Sequence, residues 1–516
     1  MCGTRKPSPQ QSGRLVSRPV RNVVIVGRDA AAWLTALGLK RAFGRQGVNV
    51  TVLELPSMVR SADVLVGLPT LEGLHRLLGL DTDDMLAATA GAYALGQQFA
   101  NWSQARPPFV HAYDTHGAPI HRIDFLQHWL KARSEGMNVP LEEFSLGAAA
   151  AKHGRFVVHG DATSGFSKAR AGYHLDASAY IRLVRQKAIE LGVQRQAGTL
   201  GEVVRSDSGI VSVSLAGGEP LAADLFVDAS GVDAVLIGKV LEQPLESWSP
   251  WFGCDRVLVT SGPKLNPLPA MSRISGFKAG WIGMFPLRDR TPVVAAYDSR
   301  RISDAEMLQS ASVLCGMRLG DAFVAPCEPG MRSAPWTGNC VAIGEAAVVL
   351  EPLDAASLHM IHVGLSHLIT LFPVSAEAML EAEPFNTSMQ NHARNLRDFQ
   401  IVHYRLNGRL DEPFWDRARE TPPPPELAAK LDLFAARGAV ALYDDETFQE
   451  ENWASVLIGH GLIPRGYDPQ VDTLAPDELI AAFQRMLGFI ASTVRDMPSV
   501  EAQLELFAPL PSNASF

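Results

Sequence analysis

The chain has 516 residues, 47% of them hydrophobic and 20% charged, and a formal net charge of −9. That length buries a large core, split between two domains or built as one domain with a substantial cap. The acidic balance leaves no electrostatic footprint for nucleic acid, and no apolar run is long enough to span a bilayer. Cys2, Cys254, Cys315, Cys327 and Cys340 are scattered without CxxC spacing, which argues against a disulfide framework or a zinc site and points to a cytoplasmic compartment.

Residues 1–20 place Arg5, Lys6, Arg14 and Arg18 among Pro, Ser and Gln with no hydrophobic centre, the composition of a disordered tail rather than a secretory signal. Asn22 to Val26 is a continuously apolar run, predicted as a buried parallel strand. Ala30 to Phe43 is predicted as a helix and Val48 to Leu53 as a second strand closed by Glu54. Strand, turn, helix and strand make one βαβ unit with a right-handed crossover. An acid closing the second strand stands where a nucleotide ribose is gripped, although such an acid is often merely solvated.

Further on, Leu71 to Leu80 reads as a short helix, and Asp176 to Leu191 as a longer amphipathic one with Asp176 at its N-cap. Ile210 to Leu215 and Leu221 to Val227 are predicted as paired strands, the second running into "DASG". Gly283 to Tyr297 mixes a turn with strands, and "CVAIGEAA" at Cys340 to Ala347 passes from strand through glycine to helix. From about Phe385 the chain is predicted helical, with "TPPPP" at Thr421 to Pro425 as a stiff connector. The expected fold class is α/β with a Rossmann-type βαβ start and an α-helical C-terminal cap. The expected boundaries are a tail at 1–20, an α/β domain with inserted substrate-domain segments at 21–380, and the cap at 381–516.

The stretches "GYHLDASAYIRLV", "DLFVDASG", "WSPWFGCDR", "GWIGMFPLRDR", "NCVAIGEAAVVLEPLDAASLH", "NLRDFQIVHY" and "NWASVLIGHGLIP" occur in an order and spacing that resemble the flavin-dependent tryptophan halogenases along nearly the whole chain. The resemblance implies an FAD-binding flavoprotein-monooxygenase-like module, a helical substrate cap, often a homodimer, and a separate flavin reductase. It also implies hypohalous acid made at the flavin and passed through a tunnel to a lysine, which with a glutamate directs halogen onto an indole.

Against that pattern the departures cluster. Gly27, Asp29 and Ala32 fall on the three glycines of the dinucleotide turn in "VVIVGRDAAAWL". The middle glycine lets backbone approach a pyrophosphate, and a carboxylate about 4 Å from a phosphate costs on the order of 4 kcal/mol at an effective dielectric near 20. Arg28 offsets part of this if it pairs with either group; alternatively Asp29 simply caps the helix beginning at Ala30. Gly344-Glu345 replaces the Gly-Asp beside the flavin, while Glu54 keeps the ribose-binding acid. Cofactor contacts are therefore expected from Gly27, Arg28, Glu54, Gly344 and Glu345, with FAD binding weak or absent. The G-E-A-T segment that lines the flavin gives Leu65 and Gly67 in place of its glutamate and threonine.

The family's lysine position in "GAYALGQQFANW" is Ala94, and a second lysine in some members is Gln98. A methyl group neither forms a haloamine nor donates a hydrogen bond. The E-P-L-E-S-T-G segment becomes Glu351, Pro352, Leu353, Asp354, Ala355, Ala356 and Ser357, so Asp354 is the one candidate catalytic acid. Trp281, Gly283, Phe285 and Pro286 match W-x-W-x-I-P, with one large ring removed at Gly283. Trp281, Trp415 and Trp453 are candidate substrate-binding residues, with core packing as the alternative for each. His359 and His362 share a helical face, but no third ligand accompanies them in sequence and no metal site is expected.

Two functions remain open on these residues. The first is a halogenase-fold protein without the standard activity, binding an aromatic small molecule or tethered indole, as a homodimer or paired with an active halogenase. The second is an active FAD-dependent halogenase or monooxygenase on an indole or other aromatic, served by a flavin reductase. Neither nucleic acid nor membrane is an expected partner.

Overall fold

The computed structural model describes residues 18–156 and 170–507; most of the expected tail, including Arg5, Lys6 and Arg14, lies outside them. The first apolar run forms strand β1 (Asn22–Gly27), followed by helix α1 (Asp29–Phe43) and strand β2 (Asn49–Glu54). β1 and β2 pair in parallel, Gly27 opposite Glu54, so the turn and the acid meet at one end of the sheet. On β1's other side Leu225–Ala229 pairs in parallel, followed by Cys340–Ala342. The sheet has six strands, with Gln194–Ala197 beyond β2 and Trp336–Thr337 at the far edge.

Asp176 caps the helix Ala177–Glu190, its carboxylate accepting from the Ala179 backbone N–H at 2.5 Å, as expected. Two other expectations change. The predicted strand from Leu221 to Val227 is broken: Leu221–Ala222 pairs with Gly209–Leu215, whereas Leu225–Ala229 joins the six-stranded sheet. Asp224 marks the break, accepting from the backbone N–H groups of Arg21 and Asn22 at 2.8 and 2.9 Å. After Cys340–Ala342 the chain makes one turn of 3-10 helix at Gly344–Ala346 rather than an α-helix. The next helix, Ala356–Thr370, begins ten residues later.

A second sheet has seven strands. Phe323–Pro326, Arg256–Pro263, Arg290–Tyr297, Gly280–Met284 and Ser272–Phe277 lie side by side and continue into Gly96–Ala100 and Phe109–Ala112. From Ala382 the fold is helical, with Ala382–Arg405, Pro413–Glu420, Pro425–Arg437, Glu450–Gly459 and Pro476–Asp496 as its main helices. Pro425 opens a helix, where its missing N–H would have had no partner. One hydrophobic cluster contains Ile25 of β1 together with Phe399 and Trp453 of the helical part, so the two parts share a core. Among the described residues no helix is long and apolar enough to cross a membrane.

Candidate functional site

The turn after β1 is as tight as a dinucleotide turn. A Cβ on Gly27 would lie 2.4 Å from the Ala229 carbonyl oxygen, so glycine is retained for backbone approach. Asp29 holds a left-handed φ of 56°, a conformation that an L-residue adopts at a penalty and a glycine freely. It does not cap α1. Its carboxylate accepts from the Ser57 hydroxyl at 2.5 Å and from the Met58 backbone N–H at 3.0 Å, tying the turn to the segment after β2. Arg28 does not pair with Asp29 either: its guanidinium sits 3.0 Å from Asp233.

This turn forms one wall of a cleft of about 360 Å³ whose other walls include Val64, Leu65, Ile181, Val294, Phe323 and Leu350. Those walls are apolar, but three carboxylates, Asp29, Asp63 and Glu345, line the same cleft. Glu345 is exposed on its lining, and a Cβ on Gly231 would lie 3.7 Å from its Oε2. Its carboxyl is pushed up by burial and by the charges of Asp29 and Asp63. Burial likewise raises Asp63, with Asp29 adding to the effect. Of the two guanidinium groups on the cleft, Arg28 is paired with Asp233, while Arg60 stays on the cleft wall over the Phe323 ring at 4.4 Å. The tight glycines fit a dinucleotide, since Gly344 has φ 68° and a Cβ there would meet Ala31 at 3.2 Å. The carboxylates oppose a pyrophosphate dianion, and Arg28 and Arg60 are the cations on the same cleft.

Glu54 is occupied as well. It accepts from the Trp33 indole N–H at 2.9 Å and from Arg195 at 2.5 Å, with Arg185 at 3.4 Å. Burial would raise its carboxyl, but these donors outweigh burial and hold it below the usual range.

Asp354 lies in the interior, on a turn in which it and Ala355 both hold left-handed φ, 56° and 58°. Two successive non-glycine residues in this region are strain that the surroundings must impose. His403 Nε2 lies 3.3 Å from its carboxylate without the geometry of a hydrogen bond, and His403 Nδ1 lies 2.8 Å from His460 Nε2, so an acid and two imidazoles stand in a buried row. Asp354 also acts electrostatically on His111 and Tyr113. His111 is pushed down to about 4 by burial, and burial drives His460 well below its usual value. Ala94 is fully buried in a short strand opposite Gly172, and a Cβ on Gly172 would meet the Tyr113 ring at 3.1 Å. One imidazole therefore approaches the acid, and a second imidazole and a phenol lie within its electrostatic reach. His111, Tyr113, His403 and His460 were not singled out from sequence, although "NLRDFQIVHY" and "NWASVLIGHGLIP" carry the last two. Nothing local distinguishes a histidine that reaches a distant acid from one packed in a core.

Trp281, Trp415 and Trp453 are all fully buried, and each indole N–H already has a protein acceptor. Trp281 donates to Glu351 at 2.9 Å, Trp415 to the Phe277 carbonyl at 2.7 Å, and Trp453 to Glu446 at 3.3 Å. In this structure they pack as core, each with its indole donor taken by one of the protein's own groups. The space at Gly283 is likewise closed, since a Cβ there would lie 2.9 Å from the Phe285 ring. Behind Trp281, Glu351 also accepts from the Tyr404 hydroxyl, and burial pushes its carboxyl up to about 7 despite both hydrogen bonds.

The sequence profile of the tryptophan halogenase family matches residues 22–476. The tryptophan 7-halogenase KtzQ of Kutzneria sp. (strain 744) is 28% identical over 451 residues, covering 81% of this chain and 82% of its own. Among solved structures, the flavin-dependent halogenase BrvH from Brevundimonas sp. BAL3 superposes with a TM-score of 0.90 at 32% identity, covering 95% of this chain and 99% of its own. The flavin-dependent halogenase Xcc4156 from Xanthomonas campestris also gives a TM-score of 0.90, at 28% identity, covering 96% and 99%.

Proposed function

The chain belongs to the tryptophan halogenase family, and from that premise we propose that it has given up lysine-directed halogenation and serves as a binding protein for a planar aromatic ligand. One observation carries the loss of activity: the family's lysine position is the fully buried Ala94, which has no amine, while His403 approaches Asp354 and His111 and Tyr113 lie within its electrostatic reach. Among the described residues the buried lysines are spent elsewhere, Lys131 on Asp472 and Lys430 on Glu446. Membership implies an FAD site, and FAD affinity is weak in this reading because three carboxylates share the cleft that a pyrophosphate would enter. The ligand takes that cleft, not the packed tryptophans: its apolar walls suit a ring, and its acids tolerate a neutral or cationic head. Residues 21–380 supply the cleft, residues 381–516 act as the cap, and the working unit is a homodimer or a pair with an active relative.

The deciding experiment supplies flavin reductase, reduced FAD and chloride with free tryptophan and looks for chlorotryptophan by mass spectrometry. None is expected above a hypochlorite-scavenged control, and a chlorinated indole in that control would refute the reading. A second reading, an active FAD-dependent halogenase or monooxygenase on another aromatic and supplied by a reductase, is favoured by the Asp354–His403 pair, a buried acid–base couple at the family's catalytic acid. Retention of a yellow flavin through purification separates it from the first.

A further inference from the structure

Outside the cleft and the acid site, three side chains from separate segments converge. His367 lies near the end of the helix Ala356–Thr370, His392 lies on the helix Ala382–Arg405, and Asp445 lies on the loop before the helix Glu450–Gly459. One ligating atom from each lies within 4.8 Å of the other two. The imidazole rings of His367 and His392 are 5.3 Å apart, and Asp445 Oδ1 is 3.7 Å from His392 Nε2. We propose that His367, His392 and Asp445 bind one divalent metal ion of the zinc class, with water completing the coordination.

The loop is held so as to present the carboxylate. Asp445 has a left-handed φ of 64°. Its Oδ2 accepts from Asn391 at 3.2 Å, Asn395 donates to the Asp444 carbonyl at 2.8 Å, and the Thr447 hydroxyl sits 2.9 Å from His359 Nε2. Oδ1 is left toward the imidazoles, and the buried Nδ1 of His392 has no hydrogen-bond partner. The pocket is also reachable, because the side chains of His392 and Asp445 are 16% and 28% exposed. Two imidazoles and one carboxylate suit zinc, cobalt or nickel rather than magnesium or calcium, which take all-oxygen sets. Metal–ligand bonds of about 2.0–2.1 Å bring tetrahedral ligand atoms to roughly 3.3 Å apart, within reach of small side-chain rotations. His359 and His362, the pair visible in sequence, are not this site: their rings stand 6.1 Å apart and His359 is engaged by Thr447.

The ion would join the helix that follows Asp354 to the helix that carries His403, and so brace the acid site from outside. The test is titration of EDTA-stripped protein with Zn2+ by calorimetry and with Co2+ by visible absorption. One ion per chain is expected at micromolar affinity or tighter, with cobalt bands characteristic of nitrogen ligation and a raised melting temperature. His367→Gln, His392→Gln and Asp445→Asn should each weaken binding at least tenfold and abolish the thermal shift. His121→Gln, at an exposed histidine paired with Glu478, should leave both unchanged. Should a variant fail to fold without metal, the wild-type cobalt spectrum still decides, since hexaaqua-like bands or no stoichiometric uptake would overturn the proposal. Zinc uptake unaltered by the three substitutions would overturn it equally.

Discussion

Replacing Glu351 by Gln should make the protein more stable above neutral pH and leave it little changed near pH 4.5. Glu351 is fully buried, accepts from Trp281 and Tyr404 through Oε2, and has no partner at Oε1. Burial carries its carboxyl from an ordinary value of 4.5 to about 7. Between those values the native state keeps a proton that the unfolded chain has released, so stability falls as pH rises. At 1.36 kcal/mol per pH unit the full loss is about 3 kcal/mol, complete once the pH exceeds 7. A glutamine keeps the acceptor at the Oε2 position and cannot ionise, so its penalty does not grow with pH. With an unfolding entropy near 2.1 cal/mol/K per residue, a chain of this size has about 1 kcal/mol/K in all, and the loss corresponds to about 3 °C. Melting temperatures of both proteins measured from pH 4.5 to 8.5 give the difference directly, and the many buried histidines cancel because both chains contain them. A variant-minus-wild-type difference that stays flat across this window would refute the reasoning.

The cofactor prediction is a gain of function: Asp29→Gly with Ala32→Gly and Glu345→Gln should bind oxidised FAD at least tenfold tighter than wild type by calorimetry, more than 1.4 kcal/mol. Tight FAD binding by the unmodified chain would show that the carboxylates are protonated or displaced when flavin enters. Ala94→Lys alone should not restore tryptophan chlorination, because the halide-side residues are still Ala355 and Ala356 and the cleft keeps its acids; product detected by mass spectrometry would contradict this. Trp453→Ala should destabilise the fold by roughly 3–5 kcal/mol, because it removes a ring lying 4.0 Å from the Lys430 ammonium and the N–H donor to Glu446. A melting temperature unchanged by that substitution would return Trp453 to the list of ligand-binding residues.

The fold was legible where local chemistry and the global arrangement agree. β1, α1 and β2 follow from one apolar run, one helical run and one strand closed by an acid, and each is found within a residue or so of its expected bounds. The cap of the helix Ala177–Glu190 is visible for the same reason, since Asp176 acts three residues away. The broken strand at Asp224 was not visible, because its cause is the pair of backbone N–H groups at Arg21 and Asn22, some two hundred residues earlier. Hydrophobic pattern places both halves in strands; only that long-range contact says that they belong to different sheets.

The same division of scale governs the site. The departures at Asp29, Ala94, Ala355 and Glu345 are readable as letters, but their physical meaning depends on what comes to lie opposite them. Asp29 offers the clearest case. As a residue before a helix it reads as a cap, yet in the fold its carboxylate is held by Ser57 and Met58, and it is the joint presence of Asp63 and Glu345 that makes the cleft acidic. The tryptophans run the other way. In sequence an indole in a cap segment suggests a stacking surface, whereas each indole N–H here is satisfied by an acceptor, at Glu351, Phe277 and Glu446, that belongs to another segment. A buried ring with its donor already used has no polar handle left for a ligand. On the proposed reading a ligand is therefore sought in the cleft lined by Asp29, Asp63 and Glu345, and Asp29 and Glu345 are the residues whose substitution tests it.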